Sequence, residues 1–218
     1  MSLPLTVTDG LIERLSRYRA VIRRLKALGL VRVFSNNLGD VAGVSAAQVR
    51  KDFQAINLRG VRRGGYCIEE LSARLDELLG SAGPMRAVVI GCGHIGAALL
   101  SKYGYAHDGV SVVAGFDVDP AVIDPTAEPP VLPGRDLPGY IRENGVKVAI
   151  IAVPEHAAAS VAEQLRGTGI RGVLNFTPVP LRDTDTWIVH NIDIRMEIEK
   201  LFHRIAFHDR NPPLQIDA

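Results

Sequence analysis

From Gly10 to Gly29, apolar residues recur three and four positions apart, at Leu11, Leu15, Tyr18, Val21, Ile22, Leu25 and Leu28. That spacing predicts an amphipathic helix, ended by Gly29 in a left-handed conformation. A second, shorter helix is predicted from Ser35, as its cap, to about Ala42, with Leu38, Val41 and Ala42 turned inward. Gly43-Val44 reads as a tight turn. Ser45-Ala46-Ala47-Gln48 reads as a capping box, in which the serine hydroxyl accepts the amide three residues on and Gln48 reaches back to the cap amide. The helix it opens covers about 46–57 and places Gln48, Arg50 and Lys51 near its exposed side. Gly60 to Ile68 reads as a hairpin around Gly64-Gly65, with Arg62 and Arg63 near its tip. A further helix from Glu69 to Leu79 aligns Leu71, Leu75, Leu78 and Leu79. Gly80-Ser81-Ala82-Gly83-Pro84 then interrupts every regular pattern and predicts a boundary.

Beyond the boundary the period changes. Met85–Ile90 is a short apolar strand, followed at once by Gly91-Cys92-Gly93-His94-Ile95-Gly96 and a helical run from Ala97. A second strand, Val110–Phe116, ends at Asp117. Further strands are predicted at Val146–Val153, Gly172–Phe176 and Trp187–Asn191, with an alanine-rich helix at Glu155–Leu165. Alternating strands and helices predict a doubly wound parallel sheet. Asp124–Gly139 holds five prolines and reads as a surface crossing loop. A last helix starts at about Asp193 with Ile194, Ile198, Leu201, Phe202 and Ile205 on one stripe, which has to be buried on its own sheet or on a second subunit. The predicted organisation is a domain at 1–80, a linker at 81–84, a nucleotide-binding domain at 85–192, and a terminal helix and tail at 193–218.

Composition adds exclusions. The 218 residues are 47% hydrophobic and 22% charged, which excludes a mainly disordered chain. No apolar stretch reaches the roughly 18 residues that span a bilayer. Met1-Ser2-Leu3-Pro4 has no signal-peptide pattern, so a cytoplasmic protein is expected. Cys67 and Cys92 are too few for a disulfide scaffold or a four-cysteine zinc site. The net charge of +1 hides an asymmetry: residues 1–66 hold 12 Lys+Arg against 4 Asp+Glu, and residues 67–218 hold 13 against 20. A basic first domain suits a polyanion, and an acidic second one does not.

These patterns point to chemistry at two places. Two helices around a glycine turn form a helix-turn-helix, whose second helix enters the major groove. There Gln48 suits adenine, Arg50 suits guanine or phosphate, and Lys51 suits phosphate; the hairpin is a wing able to lie along the backbone. A protein-binding three-helix module is the competing reading. In the second domain, Gly91 makes the tight turn, Gly93 lets the backbone approach a pyrophosphate, and Gly96 lets helix and strand pack closely. Asp117, 21 residues beyond Gly96, sits where a carboxylate binds the ribose hydroxyls and repels a 2′-phosphate, favouring NAD(H) over NADP(H). Binding of another nucleotide, such as CoA, stays open. Ligands bind beyond the carboxyl ends of such strands, so Val153-Pro154 and Asn175-Phe176 should border the nicotinamide. Cys92 reads as a loop residue with a redox role open, because a helix N-terminus lowers thiol pKa. His156 is the best candidate proton donor for hydride transfer, but no acid–base pair assembles, and no metal spacing is found among the six histidines.

Four segments together resemble one family: Ser45-Ala46-Ala47-Gln48-Val49-Arg50-Lys51-Asp52, Gly91 to Gly96, Phe116-Asp117-Val118-Asp119-Pro120, and Gly169-Ile170-Arg171-Gly172-Val173-Leu174-Asn175-Phe176-Thr177-Pro178. Over nearly its whole length the chain is similar to the Rex family of redox-sensing transcriptional repressors. The resemblance implies an α/β protein: an N-terminal winged helix-turn-helix domain joined to a C-terminal Rossmann-type doubly wound sheet, with the terminal helix exchanged in a homodimer. It implies an inverted-repeat operator DNA partner, with NADH and NAD as sensed ligands that are not consumed, and no catalytic residue. The resemblance implies that Gln48, Arg50 and Lys51 belong to the recognition helix and Arg62 to the wing; with Ser45, Ala47, Arg59 and Arg63 beside them, these make up the expected DNA-facing set. The implied cofactor set is Gly91, Cys92, Gly93, His94, Ile95, Gly96, Asp117, Val153, Pro154, Asn175 and Phe176, with Tyr105 near the nicotinamide of the facing subunit. The chain departs from the family's usual residues at Ala20, Ile56-Asn57 and Arg63. A small NAD-dependent oxidoreductase, and a DNA-binding relative that answers another nucleotide, remain alternatives.

Overall fold

The computed structural model describes residues 8–61, 64–80, 85–101 and 110–210. The chain forms two compact units, Met1–Pro84 and Met85–Ala218. The predicted 81–84 linker, Arg62, Arg63, Tyr105 and the 211–218 tail lie outside the described residues.

In the first unit, helix α1 (Asp9–Ala27) is capped by Thr8, whose hydroxyl accepts from the Leu11 amide. It buries Leu11, Leu15, Tyr18 and Ile22, one residue per turn along a single face. Leu28, assigned to that stripe, is instead 70% exposed, because the helix ends before it and the chain turns away at Gly29. Helix α2 (Ser35–Ala42) follows strand β1 (Arg32–Val33), and helix α3 (Ala46–Ala55) follows α2 across Gly43 at φ +72°. Phe34, not Ser35, is the cap of α2, and Val41 is exposed while Leu38, Gly39 and Ala42 face the core. A Cβ on Gly39 would meet the Val44 carbonyl oxygen at 2.6 Å, so a glycine is what lets α2 and α3 approach across their turn. Strand β2 (Tyr66–Cys67) pairs antiparallel with β1, and helix α4 (Ile68–Leu78) packs on α1. The core closes around Phe53, with Tyr18 and Tyr66 edge-on to its ring at 5.4 and 4.9 Å.

The second unit is a six-stranded parallel sheet in the order β5-β4-β3-β6-β7-β8. The strands are β3 (Met85–Ile90), β4 (Val110–Asp117), β5 (Val131–Pro133), β6 (Val148–Ile151), β7 (Gly172–Asn175) and β8 (Ile188–Asn191). Helices α5 (His94–Leu100), α6 (Leu137–Asn144) and α7 (Glu155–Leu165) connect strands, and α8 (Ile194–Arg210) follows the last one. β3 is apolar on both sides because both sides are covered. Val88 and Ile90 join Phe116, Leu137 and Ile141 in one core layer, while Ala87 and Val89 join Leu100 and Val112 in the other.

The expected loop at 124–139 is corrected by β5, a single 3-10 turn (Gly134–Asp136) and the start of α6. Its prolines misled because they stand where a missing N–H costs little: Pro133 ends an edge strand, and Pro138 lies in the first turn of α6. α6 is anchored by Tyr140, whose ring meets Phe116 at 5.4 Å and whose hydroxyl donates to the Val113 carbonyl.

One contact decides how the first crossover is built. A Cβ on Gly96 would collide with the Gly91 carbonyl oxygen, so only glycine lets α5 sit directly on the loop that leaves β3. Gly96→Ala should therefore lower the stability of the second unit by about 1–3 kcal/mol, the usual range for overpacking. The reporter is Trp187, the sole tryptophan, which is buried there. An unchanged urea midpoint in its fluorescence would mean that the helix can back away freely.

Candidate nucleic-acid interface and nucleotide cleft

α3 turns Val49, Asp52 and Phe53 into the core and leaves Ala47, Arg50 and Lys51 exposed, with Gln48 half-buried at the margin. Ser45 caps it: the hydroxyl accepts from the Gln48 amide at 3.1 Å. The other half of the predicted capping box does not form. The Gln48 side chain turns forward and donates Nε2 to Asp52 Oδ1 at 2.8 Å, because a bond to an ionised carboxylate is stronger than one between neutral groups. Arg50 rests across α2, donating to the Ser35 hydroxyl at 3.1 Å. Arg59 is exposed beyond the helix, and Val61 bridges to Gly65 at the base of the predicted wing. Arg32, on β1, donates to the Gly64 carbonyl at 2.7 Å and ties that hairpin to the body of the unit.

Asp52 is the buried charge of this unit, at 3% exposure. Arg14 grips both its oxygens, Nε to Oδ2 at 2.7 Å and the second guanidinium nitrogen to Oδ1 at 2.8 Å, and the Tyr18 hydroxyl donates to Oδ2 at 2.9 Å. Burial pushes the Asp52 carboxyl up, but the bonds from Arg14, Gln48 and Tyr18 together outweigh it and hold the group below its ordinary value. A carboxyl with a folded pKa below its unfolded one stabilises the fold above the unfolded value, near 4, and loses that contribution as pH falls through the folded value. The first unit should accordingly lose stability on acidification below about pH 4. Asp52→Asn should be less stable at neutral pH and show a shallower acid slope in urea titrations followed by circular dichroism; an identical slope would show that Asp52 is not the titrating group.

The cleft of the second unit lies at the carboxyl ends of the strands, between β3 and β6, where the crossovers diverge to opposite sides of the sheet. It has a volume of about 900 Å³. Gly91 adopts φ +88°, and a Cβ there would meet the Ala152 carbonyl oxygen at 2.6 Å. Around Gly93, by contrast, nothing lies within 4 Å of an added Cβ, so the backbone is open to a ligand at the point where a pyrophosphate would approach. His94 and Ile95 line the cleft beside it, Asp117 lines the far end, and Val153, Pro154 and His156 line the β6 side. The Asp117 carboxylate accepts from three backbone amides: Cys92 at 2.6 Å on Oδ2, and Val118 and Asp119 at 2.7 and 2.9 Å on Oδ1. These bonds aim it and join the end of β4 to the glycine loop, while about four lone-pair positions leave room for a ligand hydroxyl. These residues fit a dinucleotide with an unphosphorylated ribose.

Other residues of the cofactor set have different surroundings. Cys92 is buried with its thiol on the Phe116 carbonyl, and Gly96 is buried where α5 meets the Gly91 carbonyl. Asn175 is fully buried: its amide donates to the Val179 carbonyl and to Asn191, and its oxygen accepts the Thr177 amide and hydroxyl. Its side chain pins the loop after β7 rather than entering the cleft, and Phe176 packs half-buried against the core layer that holds Cys92. Sequence reasoning also missed cleft residues. Arg135, Leu137 and Pro138 line it from the segment read as a loop, Val122 from just before that segment, and Gln164 from α7. The Asp117–Pro133 register brings Arg135 there, and no spacing along the chain announces it.

The surroundings of Cys92 do not favour the redox role left open for it. Burial, then the Asp117 carboxylate, push its thiol up to about 11, against the lowering effect of its hydrogen bond to the Phe116 carbonyl. Alkylation of the folded protein should label Cys67, which is half-buried, long before Cys92; equal rates would contradict the buried thiol.

Among the described residues, no group of three His, Cys, Asp or Glu side chains is placed to hold a metal ion, and no helix is long and apolar enough to cross a membrane. A basic helix-turn-helix unit and a dinucleotide-type cleft on one chain define a class: a DNA-binding module joined to a Rossmann-type nucleotide module. Comparison with known proteins agrees and is more specific. Residues 7–54 match the family described as putative DNA-binding protein N-terminus, and residues 83–179 match the CoA binding domain family. The redox-sensing transcriptional repressor Rex of Desulforamulus reducens is 33% identical over 207 residues, which cover 94% of this chain and 99% of that one. The Rex protein of Carboxydothermus hydrogenoformans is 36% identical, over 91% of this chain and 96% of that one. The crystal structure of RSP in complex with beta-NAD+ and operator DNA superposes with a TM-score of 0.80 at 25% identity, covering 96% of this chain and 95% of RSP. RSP in complex with beta-NADH superposes with a TM-score of 0.75, covering 96% and 99%. The chain belongs to the Rex family of redox-sensing transcriptional repressors.

Proposed function

We propose that this protein is a repressor in the cytoplasm that binds an inverted-repeat operator as a homodimer and leaves it when NADH enters the cleft. The observation that carries the reading is that one chain holds both a basic recognition face on α3 and a glycine-lined cleft ending at Asp117. Support comes from RSP, of similar fold over nearly the whole chain, which has been solved with beta-NAD+ on operator DNA and separately with beta-NADH. The relatives are named as repressors, and in this reading the nucleotide is bound and released unchanged.

The residues take these roles. Ser45, Ala47, Gln48, Arg50 and Lys51 face the DNA from α3, with Arg59, Arg62 and Arg63 on the phosphate backbone. Gly91, Gly93, His94 and Ile95 cradle the pyrophosphate, Asp117 accepts the ribose hydroxyls, and Val153 and Pro154 border the nicotinamide, with Tyr105 supplied by the facing subunit. Homodimerisation is supported by α8, whose Ile194, Ile198, Leu201, Phe202 and Ile205 are each 49–68% exposed in a single chain. Two copies can cover that stripe by exchanging the helix, and paired recognition helices match paired half-sites. Release then follows from linkage: NADH binds the dimer state that cannot span both half-sites more tightly, by a coupling free energy of roughly 1–3 kcal/mol.

The test is fluorescence anisotropy of a labelled operator, selected from a randomised inverted-repeat library, at fixed salt because phosphate contacts are screened. NADH should release the protein, whereas NAD+ should not. Arg50→Ala should weaken operator binding about tenfold while leaving NADH affinity intact. Asp117→Ala should weaken NADH binding about tenfold while leaving ligand-free DNA binding intact. DNA binding indifferent to both nucleotides, or NADH consumed in the presence of a small substrate, would remove the reading.

A further inference from the structure

Resting on the operator reading above, we propose that Asp52 is a positioning residue for base readout. Its buried carboxylate holds the Gln48 amide in one orientation, so that at one step of each half-site Gln48 selects an amino base, adenine or cytosine, over a keto base.

The geometry leaves the carboxylate no spare acceptor. Oδ1 takes Arg14 and Gln48 Nε2, each at 2.8 Å, and Oδ2 takes Arg14 Nε at 2.7 Å and the Tyr18 hydroxyl at 2.9 Å. Four donors fill about four lone-pair positions. An amide's two ends exchange by a half-turn about its last torsion, and the hydrogen-bond network decides which end lies where. Here the decision is forced. An ionised carboxylate only accepts, so the end against Asp52 must be the NH2; the half-turn would set the Gln48 oxygen against Oδ1 with no proton between them. The bidentate Arg14 grip fixes the carboxylate in its turn, with Arg14 itself on α1, 38 residues away in sequence.

The consequence lies on the outer side of Gln48, next to the exposed Ala47 and Lys51. With one Nε2 hydrogen on Asp52, the amide has its carbonyl oxygen and one N–H left for a ligand. Adenine suits both, its N6 donating to the oxygen and its N7 accepting the N–H, and cytosine N4 suits the oxygen. Guanine and thymine can accept only the single N–H and leave the carbonyl oxygen unpaired, so they bind less well. A side chain held before DNA arrives also loses less rotamer freedom on binding. A purely structural role for Asp52, joining α1 to α3, predicts none of this base dependence.

The experiment uses the full chain. An operator is selected from the randomised inverted-repeat library, and affinities are measured for duplexes carrying each base pair at each half-site step. Wild type should favour the amino base about tenfold at one step, and Gln48→Ala should abolish that preference. Asp52→Asn, whose amide can donate to or accept from Gln48, should reduce it to less than about threefold. Tyr18→Phe, which removes a bond to the same carboxylate without touching Gln48, should lower the Tm and leave the ratio unchanged. If Asp52→Asn does not fold, the wild-type Gln48 side-chain amide decides by NMR relaxation: an order parameter near the rigid-backbone value of about 0.85 supports the anchor, and one below about 0.6 overturns it. A preference retained in folded Asp52→Asn, or lost equally in Tyr18→Phe, overturns the role of Asp52 while the operator reading stands. A wild-type protein that enriches no sequence removes the operator reading and this inference with it.

Discussion

A missing side chain at Gly96 governs the second unit. Because no Cβ stands between α5 and the Gly91 carbonyl, the helix lies directly on the loop leaving β3, and a second glycine repeats the condition one strand over. At Gly115 an added Cβ would meet Cys92 Sγ at 2.6 Å and Leu100 Cδ1 at 2.7 Å. The close seat buries Cys92, and the Cys92 amide in turn reaches Asp117 at the end of β4. Glycine loop, acidic strand end and helix are thus one construction. It sits where the sheet order turns back on itself, so the crevice between diverging crossovers is lined by backbone on one side and a fixed carboxylate at the end.

The first unit uses the opposite device, a buried charge rather than a missing atom. Removing a carboxylate from water is expensive unless its lone pairs are all met, and a partner left alone is costlier than the intact pair. Asp52 meets that condition through Arg14, Tyr18 and Gln48, which join the first helix to the third. The aromatic cluster of Tyr18, Phe53 and Tyr66 surrounds the same junction and holds β2 against it. The exposed face of α3 is therefore carried on a rigid support.

The relatives are named as repressors, and a repressor that answers a ligand has a requirement of its own. The ligand has to distinguish the states of the protein. A ligand with equal affinity for both states would shift nothing, however tightly it bound. The apolar stripe of α8 is left uncovered within one chain, where none of its residues is buried.

Much of this was legible in the sequence. Local rules suffice for the Ser45 cap, the left-handed Gly29 and Gly43, the strand–glycine loop–helix run, and the two-sided apolar character of β3, because each depends on residues within a few positions of one another. The charge step between the two parts of the chain was equally plain. What the sequence did not disclose depends on residues brought together from far apart. The Gln48 amide turns to Asp52 because Arg14, on another helix, keeps that carboxylate ionised in the core. Arg135 reaches the cleft because β5 pairs with β4, and proline-rich residues became strand and helix because the sheet edge and the first helical turn need no N–H there. The Cys92 thiol is pushed up and Asn175 is sealed in because packing sets their dielectric and their partners. Periodicity and capping are properties of a segment, which sequence carries; burial, charge state and the aim of a side chain are properties of what packs against it, which only the tertiary structure decides.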